Sequence, residues 1–265
     1  MARKQNLEGK MSLSGHLKEL RNRLFWSSLF IVAGSVLGWF MFDAVFFELQ
    51  RPILELANNE GSNATINFPT VVSAFDVRIQ VSIFLGLMIS SPVWLFNIWS
   101  FITPGLKKKE RKYTIWFVVS AVPLFLAGTF LAWTSLATFV RVLVGFTPEG
   151  SANVINASEY ILFTIRILLV FGIAFVMPVV LVLLNFAGVI TAQNILKSWR
   201  MAIFVSAVVG AIATPAAEPM SMFLLMVPLL LLYLVAAGIA TLHDKRLARK
   251  SALIDLELET PLATD

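Results

Sequence analysis

The sequence predicts an all-α integral membrane protein with six transmembrane helices, and three observations carry that prediction. First, 58% of its 265 residues are hydrophobic and only 14% are charged, whereas a soluble domain carries about 45–50% apolar and about 25% charged residues. The mean hydropathy is +0.80. Second, the apolar residues collect in six segments, near Leu24–Phe47, Val77–Ile102, Tyr113–Val140, Tyr160–Val189, Met201–Thr214 and Met220–Leu242. Third, the cations gather in alternate connections between those segments, as they do in membrane proteins of fixed orientation.

The cation count sets that orientation. Arg3, Lys4, Lys10, Lys18, Arg21 and Arg23 precede the first segment, and Lys107–Lys112 holds five more. Lys197 and Arg200 precede the fifth segment, and Lys245, Arg246, Arg249 and Lys250 follow the sixth. In a six-span arrangement all of these, seventeen of the 21 Lys and Arg residues, fall on one side. That side is the cytoplasm, so both termini are predicted inside. The chain reads as one membrane domain over 1–265, with a cytoplasmic N-terminus (1–23) and a cytoplasmic tail (243–265). Residues 1–23 are polar for too long to be a secretory leader, and the apolar run behind them exceeds an h-region.

Before the first span, Leu13, Leu17, Leu20 and Leu24 recur at helical spacing, which predicts an N-terminal amphipathic helix lying in the interface. Outside, Glu48–Asp76 and Gly145–Glu159 are long enough to form caps of irregular or short helical structure. Their Asn63-Ala64-Thr65 and Asn156-Ala157-Ser158 triplets are read as chance sequons. The fifth span is short. From Met201 to Pro215 is 15 residues, roughly 22 Å of helix, against a hydrocarbon core of about 30 Å.

Much chemistry is excluded. With no cysteine, disulfides, thiolate metal sites and Cys nucleophiles are ruled out. The hydrolase, zinc-protease and P-loop signatures are missing. His16 and Glu19 stand one turn apart, yet no further ligand accompanies them. Among acids and bases near the membrane, Asp43 reads as interfacial. Arg166 either snorkels outward, alongside Glu159, or serves a function inside the fourth span. Glu218, in the "TPAAEP" turn of Thr214–Pro219, is either an ordinary exposed acid or lines a water-filled cavity below the headgroups.

Two carboxylates stand in basic cytoplasmic flanks. Glu19 can pair with Arg23 at i,i+4, and Glu110 lies inside the cations of "SFITPGLKKKERKY" (Ser100–Tyr113). Local pairing is one reading, and exposed pairs contribute about 0–1 kcal/mol. The other is that both acids bind a cationic ligand, since a bidentate Arg–carboxylate bond is charge-assisted and geometrically selective. Two adjacent arginines would suit two such acids held side by side.

At this point the chain resembles the TatC family, the multispanning receptor subunit of the twin-arginine protein translocase. "HLKELRNRL" (His16–Leu24) is similar to the family's HLxELRxRL, and "PVWLFNIWSFITPGLKKKER" (Pro92–Arg111) to its long motif ending in PGLxxxER. "GVI" (Gly188–Ile190) and "TP" (Thr214-Pro215) also fit, and the likeness covers roughly residues 12–245. The resemblance implies a twin-arginine signal-peptide site made by the N-terminal helix and the first cytoplasmic loop. It assigns Leu17, Glu19 and Arg21 on the first and Phe101, Pro104, Glu110 and Arg111 on the second. It implies single-span partners of the TatA/TatB type, an oligomeric complex and export of folded cargo driven by the proton gradient. It implies no catalysis, metal or cofactor, and a multi-pass place in the cytoplasmic membrane of a bacterium. The lysines around Glu110 would fix topology and bind lipid phosphate.

The sequence also departs from the family. Val176 and Leu234 stand where the family often has polar residues inside spans, and Ser73 where it has an outer-cap Glu. Asn97 replaces a usual Gln, and Glu218 represents the acid of a TPPD motif one position away. The alternative reading is a secondary transporter of a small solute, a class that shows inverted repeats and midplane ion ligands. No repeat is visible in this sequence, and its charges cluster at the ends of spans. A membrane enzyme, the third reading, lacks catalytic residues.

Overall fold

The computed structural model of the chain describes residues 13–59, 64–102, 111–148, 153–213 and 219–259. Among these residues, eight helices and two short strands follow in the order α1 (Leu13–Asn59), β1 (Ala64–Asn67), α2 (Ser73–Ile89), α3 (Ser91–Ile102), α4 (Arg111–Val144), β2 (Asn153–Asn156), α5 (Ala157–Phe186), α6 (Ala192–Lys197), α7 (Trp199–Ala213) and α8 (Pro219–Glu259). Among the described residues, four helices are long and apolar enough to cross a membrane, or five if the bent pair α2/α3 counts as one span. The chain divides into two compact units, one ending at Ile173 and one starting at Ala174.

In the first unit, α1 and α2 cross at glycines. A Cβ on Gly38 would lie 2.8 Å from the Ser82 carbonyl oxygen, and one on Gly86 2.6 Å from that of Ile31. Small residues let the backbones approach this closely, and in lipid such packing holds helices together without a hydrophobic drive between them. Next, Trp99 of α3 stacks on Phe117 of α4 at 4.4 Å, with both rings buried. Trp94 then meets Phe125 edge-on at 5.2 Å, and Gly172 of α5 lies against Phe125 and Thr129. Aromatic stacking thus carries the contact from α3 to α4 and glycine the contact from α4 to α5.

Three sequence expectations change. The segment Val77–Ile102 is not one straight helix: α2 and α3 meet at a bend of 63°. Ser90-Ser91-Pro92 causes it, because proline disfavours a helical conformation at the residue before it and lacks an N–H. Side chains donate to two carbonyls beside the bend. The Ser90 hydroxyl donates to Gly86 O at 2.7 Å, and the Trp94 indole N–H to Leu87 O at 2.9 Å. The N-terminal amphipathic segment is helical but not a separate element. It forms the first turns of a 47-residue α1, since neither Gly nor Pro occurs between His16 and Ala33 to break the helix. At its other end α1 continues past Phe47 and through Pro52. The Tyr160 hydroxyl donates to Leu49 O there at 2.7 Å. Finally, the connections expected as irregular caps supply β1 and β2, paired in parallel from Ala64↔Asn153 to Asn67↔Asn156.

In the second unit, α5 ends at Phe186, and Gly188 turns the chain away with a φ of 71°, the left-handed conformation glycine adopts freely. Then comes the short α6, capped by Thr191, whose side chain accepts from Asn194 N. The 15-residue α7 packs on α8 at Gly210, where an added Cβ would lie 3.1 Å from Met222 Cγ. α8 runs 41 residues without interruption.

Candidate functional site

The start of α1 and the end of α3 come together. The His16 ring stacks on that of Phe101, with centroids 4.4 Å apart and planes 16° from parallel. About three turns further along α1, Asn97 Nδ2 donates to Ser27 Oγ at 3.0 Å. These contacts hold the N-terminal helix against the helix that leads into the basic loop. One turn from His16, Glu19 Oε1 accepts from Arg23 Nε at 2.9 Å and Nη2 at 2.5 Å. Its other oxygen, Oε2, is buried and has no hydrogen-bond partner among the described residues. A buried carboxylate oxygen without a donor costs free energy, and a charged donor would recover it.

Helix geometry sorts the residues assigned to α1. At 3.6 residues per turn, His16, Glu19 and Arg23 share one face, and all three are partly buried. Leu17 and Arg21 lie one turn apart on another face and are exposed, Leu17 at 58%. The structure therefore places Glu19 and Phe101 near His16, while Leu17 and Arg21 point elsewhere. Pro104 and Glu110 lie outside the described residues, as do Thr214, Pro215 and Glu218. Arg111 opens α4. Arg166 is exposed on α5 with no ion pair to Glu159 among the described residues. Val176 is buried at 6% exposure and Leu234 exposed at 57%.

Sequence reasoning missed two groups. It weighed His16 as a metal ligand, and the structure makes it a stacking partner; among the described residues no group of three or more His, Asp or Glu side chains could hold a metal ion. It also overlooked a polar cluster in the second unit. Asn185 Nδ2 donates to Ile190 O at 3.0 Å and to Asp244 Oδ1 at 2.9 Å. Asp244 Oδ2 accepts from the backbone N–H of Ala192, at the first turn of α6, at 2.8 Å. His243 Nδ1 approaches Asn185 Oδ1 at 3.0 Å. A lone Asn at the end of an apolar run, and an acid just past another, were the available signals.

This arrangement defines a multispanning, all-α membrane protein with an acid-and-aromatic cluster at the joined ends of two helices. Residues 15–228 match the family described as Sec-independent protein translocase protein (TatC). The chain is similar to the Sec-independent protein translocase protein TatC of Xylanimonas cellulosilytica, 40% identical over 92% of this chain and 88% of that protein. It is also similar to TatCy of Bacillus subtilis, 32% identical over 95% of this chain and 96% of that one. A crystal structure of the twin arginine translocase receptor TatC in DDM superposes with a TM-score of 0.75 at 31% identity, covering 85% of this chain and 99% of that one. The chain belongs to the TatC family, and with it to the multi-pass proteins of the bacterial cytoplasmic membrane.

Proposed function

We propose that this chain is the receptor core of a twin-arginine translocase, binding twin-arginine signal peptides of folded cargo at its cytoplasmic face. Glu19 and Glu110 anchor the two guanidinium groups. The observation that carries this reading is the His16–Phe101 stack, which holds Glu19 beside the helix that leads to Glu110. Around this site, the chain organises single-span TatA/TatB-type subunits in an oligomeric complex, and export draws on the proton gradient. The receptor works without catalysis or a cofactor. The six spans are α1, the bent pair α2/α3, α4, α5, the short α7 and α8, with both termini inside.

A broken helix pair is also a feature of small-solute transporters. In those proteins the break exposes carbonyls to the substrate. Here Ser90 and Trp94 donate to the carbonyls of Gly86 and Leu87, so those two are not held open for a solute.

The experiment is equilibrium binding of a labelled twin-arginine signal peptide to the full chain in detergent. Glu110→Gln keeps size and hydrogen bonding, and lowers affinity about tenfold or more, the worth of a charge-assisted bond. Replacing Lys107 and Lys108 with Gln has much less effect. Normal binding by Glu110→Gln with impaired binding by the lysine variants would return Glu110 to a local ion pair.

A further inference from the structure

Arg78 of α2 is held unusually. Its guanidinium carbon lies 4.8 Å from the centroid of Trp39 and 4.9 Å from that of Phe42, two rings of α1. These contacts pin the head group against the helix pair, where a long cationic side chain would otherwise reach freely to the headgroups. Its polar contacts are poor. Nη2 stands 3.5 Å from Trp39 O, and 3.8 Å from Asp43 Oδ2, beyond hydrogen-bonding distance in the second case. Nε is buried with no partner among the described residues. The Asp43 side chain is 82% exposed, so it too is free to take another partner. An oriented cation and an open anion therefore stand side by side.

Below them runs an open groove of about 390 Å³ between α1 and α2. Val32, Val36, Trp39, Phe40, Ile79 and Ile83 line it, and Val32, Val36, Phe40 and Ile83 are exposed. Its two hydroxyls are already spent. Ser35 Oγ donates to Ile31 O at 2.8 Å, and Ser82 Oγ to Arg78 O at 2.7 Å. With both hydroxyls engaged and the rest of its wall apolar but for the Trp39 indole N–H, the groove suits a hydrocarbon chain better than a polar solute.

We infer that this groove and its charged rim form a binding site for one phospholipid with an ethanolamine headgroup, the acyl chain in the groove, the phosphate on Arg78 and the ammonium on Asp43. The guanidinium fork matches phosphate oxygens in pairs. Asp43 selects the headgroup. Beside a net-anionic lipid it adds repulsion, while the ammonium of ethanolamine donates to it directly and a quaternary choline nitrogen has no proton to give. The glycines that bring α1 and α2 into contact make the groove shallow and fixed, so the site exists before lipid arrives.

This inference needs no signal peptide and stands or falls apart from the receptor reading. The test is native mass spectrometry of the full chain in mild detergent with phosphatidylethanolamine, phosphatidylglycerol or phosphatidylcholine. One phosphatidylethanolamine is expected to stay bound in preference to the other two. Arg78→Gln is expected to weaken its retention about tenfold, and Arg78→Lys less. Asp43→Asn is expected to erase the preference for ethanolamine while leaving phosphatidylglycerol retention unchanged or higher. Val36→Trp fills the groove without touching either charge, and is expected to abolish retention even if Arg78→Gln fails to fold. Retention by Val36→Trp equal to the parent chain would overturn the site. So would stronger binding of phosphatidylglycerol, or full displacement by soluble phosphoethanolamine, which has no acyl chain. High-yield crosslinking of a single-span helix to cysteines at Val36 and Ile83 would also sink it, by giving the groove to a protein partner.

Discussion

The His16 imidazole lies flat on the Phe101 ring, 4.4 Å between centroids. One residue belongs to the first turns of α1 and the other to the last turn of α3, and no backbone hydrogen bond joins the two helices at that point among the described residues. Together with the Asn97–Ser27 hydrogen bond, the stack sets the Glu19 face toward α3. Replacing His16 with Ala removes an interaction worth about 0.5–1.5 kcal/mol, and is expected to weaken signal-peptide binding about two- to tenfold. His16→Phe restores a ring that can stack and is expected to recover most of the loss. Peptide-binding isotherms on the three proteins check this, and a Phe variant as weak as the Ala variant would give the imidazole nitrogens the role instead.

Glu19 and Arg23 test whether the acid serves its neighbour or a ligand. If Glu19 only pairs with Arg23, then Glu19→Gln and Arg23→Gln break one and the same bond, and should change thermal stability and binding alike. On the receptor reading they diverge. Glu19→Gln removes the charge facing the ligand and lowers affinity about tenfold. Arg23→Gln frees Oε1 to join the unpartnered Oε2 and leaves binding equal or tighter. Parallel losses in the two variants would establish the local pair.

Asp244 holds α6 to α8 by accepting from Ala192 N and Asn185 Nδ2. It acts as a cap supplied from another helix, and Asp244→Ala leaves the Ala192 N–H unpaired and Asn185 Nδ2 with Ile190 O alone. Caps contribute about 0.5–2 kcal/mol. Amide hydrogen exchange in 188–197 is therefore expected to accelerate severalfold in Asp244→Ala, with exchange in α1 and α2 unchanged. Equal protection in both proteins would show that Tyr233, whose hydroxyl donates to Ile195 O, suffices to hold α6.

The long apolar helices were legible because lipid demands continuous hydrophobic runs, and α1, α4, α5 and α8 contain them. The bend at Ser90 was not, since two serines and a proline inside an apolar stretch barely alter its hydropathy, and only the bond partners of Gly86 O and Leu87 O reveal it. The β1–β2 pair was equally hidden. Each strand has four residues with asparagine at an end, and their partnership is a property of the folded chain. At the site, Glu19 stood out as an acid among cations. Its alignment with His16 and Phe101 depends on packing between segments far apart in sequence, which no local pattern encodes. Leu17 and Arg21 came from the family resemblance, and helix geometry sets them on a different face from Glu19.

The short α7 yields the last prediction. Its 15 residues span roughly 22 Å, short of a hydrocarbon core of about 30 Å. The bilayer must thin beside it or the helix must find a partner of matching length. One face is already taken, since Ser206 is buried and Gly210 meets Met222 of α8. The opposite face carries Met201, Phe204, Val205 and Val208, at helical spacing and all exposed. On the translocase reading this face receives a single-span subunit. Cysteines at Phe204 and Val208 are expected to crosslink to that subunit in membranes, while one at Ser206 does not. Inserting four leucines after Val209 brings the helix near 28 Å by the same rise of about 1.5 Å per residue, and turns the residues beyond the insertion by about 40°, since four residues exceed one turn of 3.6. The longer helix should still insert, because a longer apolar run enters lipid more readily, yet it should lose the crosslinks and slow export. Full export by the lengthened protein with crosslinks intact would mean that the length of α7 is incidental and that partner choice is made elsewhere.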